Sequence, residues 1–325
     1  MCIRDSLEGA VDALGQLSSG DSVVLVGDGA KIREKLAMLG ADPDRFDIVP
    51  TTEVIEMSDH PAKAFSQKRD SSIAVGYNML KSGLIDGFAS AGNTGAMLVG
   101  ASYTVNVIPG VFRPALAALI PNVNGRSSVI LDVGINPDSK PDVLLQYGLL
   151  GTVYAKHVLG IDNPSVGLLN IGAEETKGSA AVKSAFELLR ESSDISFRGN
   201  IEGHDLFTDE MTDVIVCDGF VGNVVLKMAE KFYVVLKSKG ISDAFFDRLN
   251  FEVYGGTPVL GINENVVVGH GISNRKAIMN MLLQTRDVVH ADLAGKIKEA
   301  LGAVSYTHLR AHETVLDLVC RLLLE

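Results

Sequence analysis

Short apolar runs alternate with helical patterns along almost the whole chain. Runs such as Val23–Val26 and Val214–Cys217 are continuously apolar, which is typical of strands covered on both faces. Between the runs lie helical segments such as Val143–Val158 and Ser179–Glu191. This alternation predicts an α/β fold made of βαβ units with a largely parallel sheet. We expect strands at Val23–Val26, Ile73–Val75, Leu84–Ala89, Ala115–Ile120, Ser128–Val133, Val166–Asn170, Ser196–Arg198, Val214–Cys217 and Asn265–Val268.

The two ends of the chain differ from the rest. Residues 1–6 (MCIRDS) and 304–325 resemble translated sequencing-adapter sequence, so we expect a single domain over residues 7–303 with non-native ends. Of the cysteines, only Cys217 lies outside those ends. A disulfide framework or a cysteine zinc site within one chain is therefore excluded, and the histidines show no metal-ligand spacing. We expect no bound metal.

The charge balance is acidic, with a formal net charge of −11. This balance argues against general binding to nucleic acids or to anionic membranes. No apolar run is long enough to span a bilayer, and no secretory signal is apparent. Together with the scarcity of cysteine, these features predict a cytoplasmic protein that binds no nucleic acid.

A small glycine-rich turn follows the run Leu84–Ala89 and precedes a helical segment. Backbone N–H groups at such a junction stabilise an anion such as phosphate. Related turns occur at Asp132–Asn136, Gly172–Gly178 and Asp218–Asn223. Because ligands of open parallel sheets bind outside the carboxyl ends of the strands, we expect these turns to form one composite site. The binding candidates of the first turn are Ser90, Gly92, Asn93, Thr94 and Gly95.

Several polar residues in these turns allow two interpretations. Asp132 and Asp218 each end a strand, where they could accept turn hydrogen bonds or serve the site. Asn93 and Asn223 precede helices, and capping a helix is compatible with binding phosphate. Lys177 also precedes a helix, where a cation is unfavourable to the helix dipole, so helix stability does not explain it. The other candidates are Asn136, Lys140, Gly219 and Gly222.

Six segments, in this order, resemble the bacterial phosphate acyltransferase family. They are SAGNTGA at 90–96, RPALA at 113–117, LDVGINPDSKP at 131–141, VGLLNIGAEETKG at 166–178, CDGFVGNVVLK at 217–227 and YGG at 254–256. The resemblance implies a three-layer αβα fold similar to isocitrate and isopropylmalate dehydrogenases. It also implies a homodimer that makes acyl phosphate for phospholipid synthesis from acyl-acyl carrier protein (acyl-ACP) and inorganic phosphate, without a cofactor. A membrane acyltransferase that uses acyl phosphate would be a further partner.

The chain departs from the family pattern in two places. The family begins with a strand carrying an Asp-Ala-Met-Gly-Gly-Asp motif, where this chain has MCIRDS. We therefore expect the first strand and part of the site to be missing, so the resemblance does not by itself imply that this chain is active. The segment 231–253 is shorter than the helical hairpin of many members, which weakens the support for a peripheral location at the inner face of the cell membrane.

The resemblance suggests a mechanism based on positioning. Phosphate is already a nucleophile and a thiolate is a good leaving group, so charge stabilisation matters more than a strong base. We expect the turns Ser90–Gly95 and Gly219–Asn223 to bind phosphate, Lys177 to offset negative charge and Asp218 to orient the lysine or the phosphate. Asp132, Asn136 and Lys140 are second-choice site residues. Candidates for a basic patch that receives the acidic carrier protein are Lys63, Lys68, Arg69, Arg275 and Lys276.

Three other functions fit the same features. A phosphate acetyl- or butyryltransferase would use acyl-CoA in place of acyl-ACP. A metal- and NAD-dependent decarboxylating dehydrogenase shares the fold, although a Rossmann dinucleotide fingerprint is absent. An inactive scaffold would bind the carrier protein without releasing acyl phosphate.

Overall fold

The computed structural model describes residues 3–210 and 212–303. Ten strands and eleven α-helices alternate along this part of the chain. The strands are β1 (Val24–Gly27), β2 (Asp47–Pro50), β3 (Gly87–Ser90), β4 (Ala115–Pro121), β5 (Ser127–Leu131), β6 (Ser165–Leu169), β7 (Ser196–Ile201), β8 (Val214–Val216), β9 (Gly256–Leu260) and β10 (Asn265–Gly269). The helices are α1 (Ile3–Leu14), α2 (Gly29–Met38), α3 (Pro61–Gln67), α4 (Ser72–Lys81), α5 (Thr94–Gly100), α6 (Pro141–His157), α7 (Ala180–Glu191), α8 (Gly219–Ser238), α9 (Ala244–Asp247), α10 (Arg275–His290) and α11 (Leu293–Ala303). A π-helical segment, Ala101–Asn106, continues α5.

The strands form a two-stranded sheet of β1 and β2 and an eight-stranded sheet in the order β3-β10-β9-β4-β5-β8-β6-β7. The pairs at both ends of the large sheet are parallel. Three antiparallel pairings in the middle join β10, β9, β4 and β5. The predicted α/β fold with a largely parallel sheet is confirmed. Because of the antiparallel pairings, β3 and β10 run in the opposite direction to β5, β8, β6 and β7.

Helices cover both faces of the large sheet, which confirms the three-layer arrangement. In β5, Val129 and Leu131 pack in the same core as α6, α7 and α11. Ile130, which points to the opposite face, packs in a second core with α4, α5 and the start of α8. The alternation along β5 thus divides one apolar strand between two cores, as the pleat of a strand requires.

The amino-terminal part of the described chain forms its own small core. Leu7 and Ala10 of α1 pack with Val23, Leu36 and Phe46 around the two-stranded sheet. Helix α1 also packs against α10. Residues 3–6 are part of α1, and the prediction that residues 1–6 are non-native stays a prediction. Residues 304–325, for which the same prediction was made, lie outside the described residues.

One predicted strand is wrong and two strands escaped prediction. Ile73–Val75 belongs to α4, because Ser71 caps this helix and Ile73, Tyr77 and Leu80 recur at helical spacing on its buried face. Strand β2 has exposed ends, and β9 contains Pro258 in its middle, so neither shows the pattern of a buried strand.

Candidate active site

The loops after β5, β8 and β6 lie side by side where these strands end. We call this side of the large sheet, at the carboxyl ends of the three strands, the site edge. These strands are adjacent and parallel, so their carboxyl ends lie side by side. Helices α6 and α7 leave β5 and β6 toward one face, whereas α8 leaves β8 toward the other. Neighbouring strands whose connections diverge in this way form the crevice in which α/β proteins bind ligands. The amino termini of three helices therefore direct partial positive charge to the site edge.

Asp132 is fully buried directly after β5 and organises the turn that follows. Its Oδ1 accepts hydrogen bonds from the backbone N–H groups of Leu116 at 3.0 Å and Gly134 at 3.2 Å. Its Oδ2 accepts from the N–H of Asn136 at 2.6 Å. Burial raises the pKa of this carboxyl, and the hydrogen bonds that it accepts oppose the shift. In this arrangement Asp132 stabilises the turn, and a direct contact with substrate stays a prediction.

The start of α8 packs directly on that turn through two glycines. The N–H of Gly219 donates to the carbonyl of Asn136 at 2.8 Å. A Cβ on Gly219 would lie 2.6 Å from Oδ2 of Asp132, and a Cβ on Gly222 would overlap the carbonyl oxygen of Asp132. Asp218 caps the helix by accepting from the N–H of Val221 at 2.8 Å. The structure thus joins five of the predicted site residues into one unit: Asp132, Asn136, Asp218, Gly219 and Gly222.

Two lysines at the site edge have ammonium groups without a partner among the described residues. Lys177 lies in the loop after β6, where its carbonyl accepts from the Nδ2 of Asn170 at 3.1 Å. Its side chain is exposed and, within the part of the chain that the structure describes, forms no ion pair or hydrogen bond. The same holds for Lys140, which immediately precedes α6. Asn223 is half-buried in the first turns of α8. This edge can therefore offer cations and helix N-termini to an anion.

The turn Ser90–Gly95 follows β3, whose direction is opposite to that of β5. The register followed through β10, β9 and β4 nevertheless places Ser90 level with Ile130, next to the end of β5. The expectation that the strands before these turns all run the same way is wrong for β3, and a composite site that includes this turn stays a prediction. Whether the predicted residues Ser90, Gly92, Thr94 and Gly95 bind substrate stays a prediction.

Asn93 has a clear structural role in that turn. Its Oδ1 accepts from the N–H of Ala96 at 3.0 Å and caps α5. Its Nδ2 donates to the carbonyl of Glu56 at 3.0 Å and to that of Asp59 at 3.2 Å. The amide is 5% exposed. Because both ends of the amide already have protein partners, binding of phosphate here would rely on backbone N–H groups.

Tyr147 is a polar group near the site edge that sequence reasoning missed. It is fully buried on α6, and its hydroxyl forms no hydrogen bond with any residue that the structure describes. Burial raises the pKa of this phenol, and the negative charge of Asp132 raises it further. The sequence did contain one sign of this polar group. Tyr147 lies four residues after Val143 on the apolar stripe of the helix, at a position where an aliphatic side chain is usual.

The described residues offer neither a cluster of metal ligands nor a membrane-spanning helix. Within residues 3–210 and 212–303, no group of three or more His, Cys, Asp or Glu side chains could hold a metal ion. In the same ranges, no helix combines the length and the apolar character needed to cross a membrane.

Comparisons with solved structures define the class of fold. A phosphotransacetylase from Streptococcus pyogenes superposes with a TM-score of 0.62 at 18% identity, over 89% of this chain and 99% of that one. The EutD phosphotransacetylase from Staphylococcus aureus gives 0.61 at 16% identity, over 89% and 92%. A 4-hydroxythreonine-4-phosphate dehydrogenase from Klebsiella pneumoniae gives 0.52 at 13% identity, over 88% and 97%. At these identities the likeness concerns the fold alone.

Sequence comparisons identify the family. The profile of a family described as "Fatty acid synthesis protein" matches residues 4–239. The phosphate acyltransferase of Halothermothrix orenii is 38% identical over 319 residues, which cover 92% of this chain and 95% of that protein. The phosphate acyltransferase of Salinibacter ruber is 41% identical over 319 residues, covering 92% and 94%. The chain belongs to the phosphate acyltransferase family and is an acyltransferase.

Proposed function

We propose that this protein transfers a fatty acyl group from acyl-ACP to inorganic phosphate, giving acyl phosphate for phospholipid synthesis. A phosphate oxygen attacks the thioester carbonyl carbon, the new C–O bond forms and the C–S bond breaks. The carrier thiolate leaves and takes up a proton. Beside family membership, the site edge carries the proposal. Three helix N-termini lie there with two lysines that form no ion pair in the described part of the chain, and together they favour a dianionic substrate.

The reaction gives each part of the site edge a task. Phosphate needs no strong base, so catalysis depends on holding it against the thioester carbon and on stabilising the oxyanion that develops there. Lys177 offsets the phosphate or oxyanion charge, while Lys140 assists from the start of α6. Gly219 and Asn223 present the start of α8 to the phosphate. Asp218 orients the lysine or the phosphate, and Asp132 holds the turn on which α8 packs.

The acyl donor decides between this function and its main alternative. The test measures initial rates with palmitoyl-ACP and with palmitoyl-CoA, each with inorganic phosphate, and traps acyl phosphate as the hydroxamate. The proposal expects turnover with palmitoyl-ACP and phosphate, and a higher kcat/KM for that donor. Preference for the CoA thioester would favour a CoA-dependent acyltransferase. Carrier binding without any acyl phosphate would favour an inactive scaffold.

The homodimer is part of the proposal, and an exposed apolar stripe on α8 supports it. The stripe, which follows helical spacing, consists of Phe220, Val224, Met228, Phe232 and Val235. Large apolar patches of this kind mark interaction surfaces more often than free surface. We expect Met228→Lys to shift the mass measured by light scattering from dimer to monomer. Ile171→Lys, at an apolar residue that is 80% exposed outside the stripe, is the control and should leave the mass unchanged. A dimer that persists in Met228→Lys would exclude this surface.

We also propose a cytoplasmic enzyme that receives its acidic carrier on a local basic patch and hands acyl phosphate to a membrane acyltransferase. Two of the patch candidates already have partners, because Lys68 pairs with Asp59 at 2.6 Å and Arg275 pairs with Asp12. Lys276 is exposed and has no ion pair within the described residues, so it is the better candidate. We expect Lys276→Glu to raise KM for acyl-ACP without changing KM for phosphate. Equal KM values for acyl-ACP in the variant and the wild type would remove Lys276 from the patch.

A further inference from the structure

The segment that precedes β4 lies at the site edge. Strand β4 is antiparallel to β5, so it begins where β5 ends. The N–H of Leu116 donates to Oδ1 of Asp132 at 3.0 Å. Nδ2 of Asn136 donates to the carbonyl of Pro114 at 2.8 Å. Arg113, the residue before Pro114, therefore adjoins the turn on which α8 packs.

A buried amide holds the backbone on the other side of Arg113. Gln146 of α6 is 1% exposed. Its Oε1 accepts from the N–H of Phe112 at 2.7 Å, and its Nε2 donates to the carbonyl of Gly110 at 2.7 Å. Because Pro114 follows Arg113, steric contact with the proline ring also restricts the backbone of the arginine. Contacts on both sides thus fix the main chain from which this side chain extends.

The side chain on this fixed segment is a cation that the fold does not use. Arg113 is exposed, and within residues 3–210 and 212–303 its guanidinium forms no ion pair or hydrogen bond. Burial and the charge of Asp132 raise the pKa of the buried Tyr147 hydroxyl, and the positive charge of Arg113 opposes this increase. The guanidinium is therefore close enough to the Asp132 turn to act on a group buried beside it.

We propose that Arg113 binds the inorganic phosphate substrate through two parallel hydrogen bonds and thereby orients the oxygen that attacks the thioester. This inference rests on the proposed function and adds a substrate-binding residue to it. A guanidinium is planar and donates two hydrogen bonds in a fixed geometry, whereas a lysine ammonium acts as a point charge. Lys177 and the helix N-termini supply positive charge, and Arg113 supplies orientation.

The geometry of a guanidinium pair fits the proposed reaction. Two phosphate oxygens accept hydrogen bonds from Arg113, which leaves another oxygen to attack the carbonyl carbon. The new C–O bond forms, the C–S bond breaks and the thiolate leaves, while Arg113 keeps its protons throughout because a guanidinium is not deprotonated in proteins. An oriented nucleophile lowers the barrier without a strong base.

The test compares the wild type with Arg113→Ala, Arg113→Lys and the control Arg198→Ala, which removes another exposed arginine on the outer strand β7. Titration followed by ³¹P NMR gives the affinity for inorganic phosphate. Initial rates with palmitoyl-ACP give kcat and a KM for each substrate. Urea unfolding checks that the variants are folded, and all three should match the wild type because the side chains that they replace are exposed.

We expect Arg113→Ala to weaken phosphate binding and to raise KM for phosphate by about tenfold to a hundredfold, the range for lost hydrogen bonds to a charged group. KM for palmitoyl-ACP should not change. Arg113→Lys should recover part of the affinity but little of kcat, because the charge returns without the planar pair of donors. Guanidinium added far below unfolding concentrations should restore turnover to Arg113→Ala, and equimolar ammonium should not. Arg198→Ala should behave as the wild type.

The possible contrary results separate this inference from the proposed function. Equal phosphate affinity in the wild type and Arg113→Ala, or an equal loss in Arg198→Ala, would overturn the role of Arg113 and leave the reaction intact. A raised KM for palmitoyl-ACP at unchanged phosphate affinity would also overturn it, because Arg113 would then bind the phosphodiester of the carrier's prosthetic arm. Phosphate binding through Arg113 without acyl transfer would refute the proposed function alone. Absence of phosphate binding to the wild type would refute both.

Discussion

Replacement of Gly222 by alanine tests the contact between α8 and the Asp132 turn. A Cβ at this position would overlap the carbonyl oxygen of Asp132 and lie 2.9 Å from Sγ of Cys217. Overpacking of this kind costs about 1–3 kcal/mol, and the upper end applies because a backbone carbonyl cannot rotate away. Alanine gains about 1 kcal/mol over glycine in a helix. We therefore expect Gly222→Ala to lower the free energy of unfolding by about 2 kcal/mol.

The same change should displace the start of α8 from the site edge. A shift of about 1 Å in a positioning element can cost about a hundredfold in rate, so kcat/KM should fall by tenfold to a hundredfold. Gly302→Ala is the matched control, because a Cβ there meets nothing within 4 Å. This control should gain about 0.5–1 kcal/mol in urea unfolding and keep its activity. If Gly222→Ala were as stable and as active as the control, the close packing of α8 on Asp132 would be refuted.

Three further predictions concern other parts of the chain. Asn93→Ala should lower the free energy of unfolding by at least about 2 kcal/mol, because the cap of α5 and two carbonyl partners are lost together; a loss below half that value in urea unfolding would contradict the geometry. Burial raises the pKa of Glu230 above its ordinary value of 4.5, because the folded protein favours the protonated carboxyl. The stability that this carboxyl contributes is therefore fully present below pH 4.5 and is lost as pH rises through the folded-state pKa. Glu230→Gln should therefore gain stability relative to the wild type as pH rises, with no such trend if the carboxyl is solvated. Arg275→Ala should cost less than about 1 kcal/mol, because its pair with Asp12 is exposed, and a larger loss would show that the pair anchors α1 to α10.

Local patterns predicted the helices and turns well. Periodic apolar residues predicted a helix over 179–191, and α7 spans Ala180–Glu191. The asparagine before α5 was predicted as a possible cap, and Asn93 does cap that helix. Both features depend on residues within one or two turns of each other, so a single sequence contains the information.

Strand direction could be predicted only in part. The turn Ser90–Gly95 follows its own strand as predicted, yet that strand runs opposite to β5 because antiparallel pairings intervene. Two of these three pairings involve β9, whose central Pro258 masks the pattern of a buried strand.

The grouping of Lys177 with Asp218 depended on the family resemblance. About forty residues separate them, and they share an edge only because β6 and β8 are neighbours in the sheet. Tyr147 was missed because its position on an apolar stripe predicts core packing. Only the fold shows that its hydroxyl lies near the charge of Asp132.

The binding of phosphate at the site edge is the central claim, and ³¹P NMR titration of inorganic phosphate tests it without requiring turnover. The comparison uses the wild type, Lys177→Ala and the control Lys183→Ala, which removes another exposed lysine six residues along the chain. We expect Lys177→Ala to weaken phosphate binding about tenfold, the value of one hydrogen bond to a charged group, with Lys183→Ala unchanged. Equal affinity in the wild type and Lys177→Ala, or an equal loss in both variants, would contradict a phosphate site at this edge.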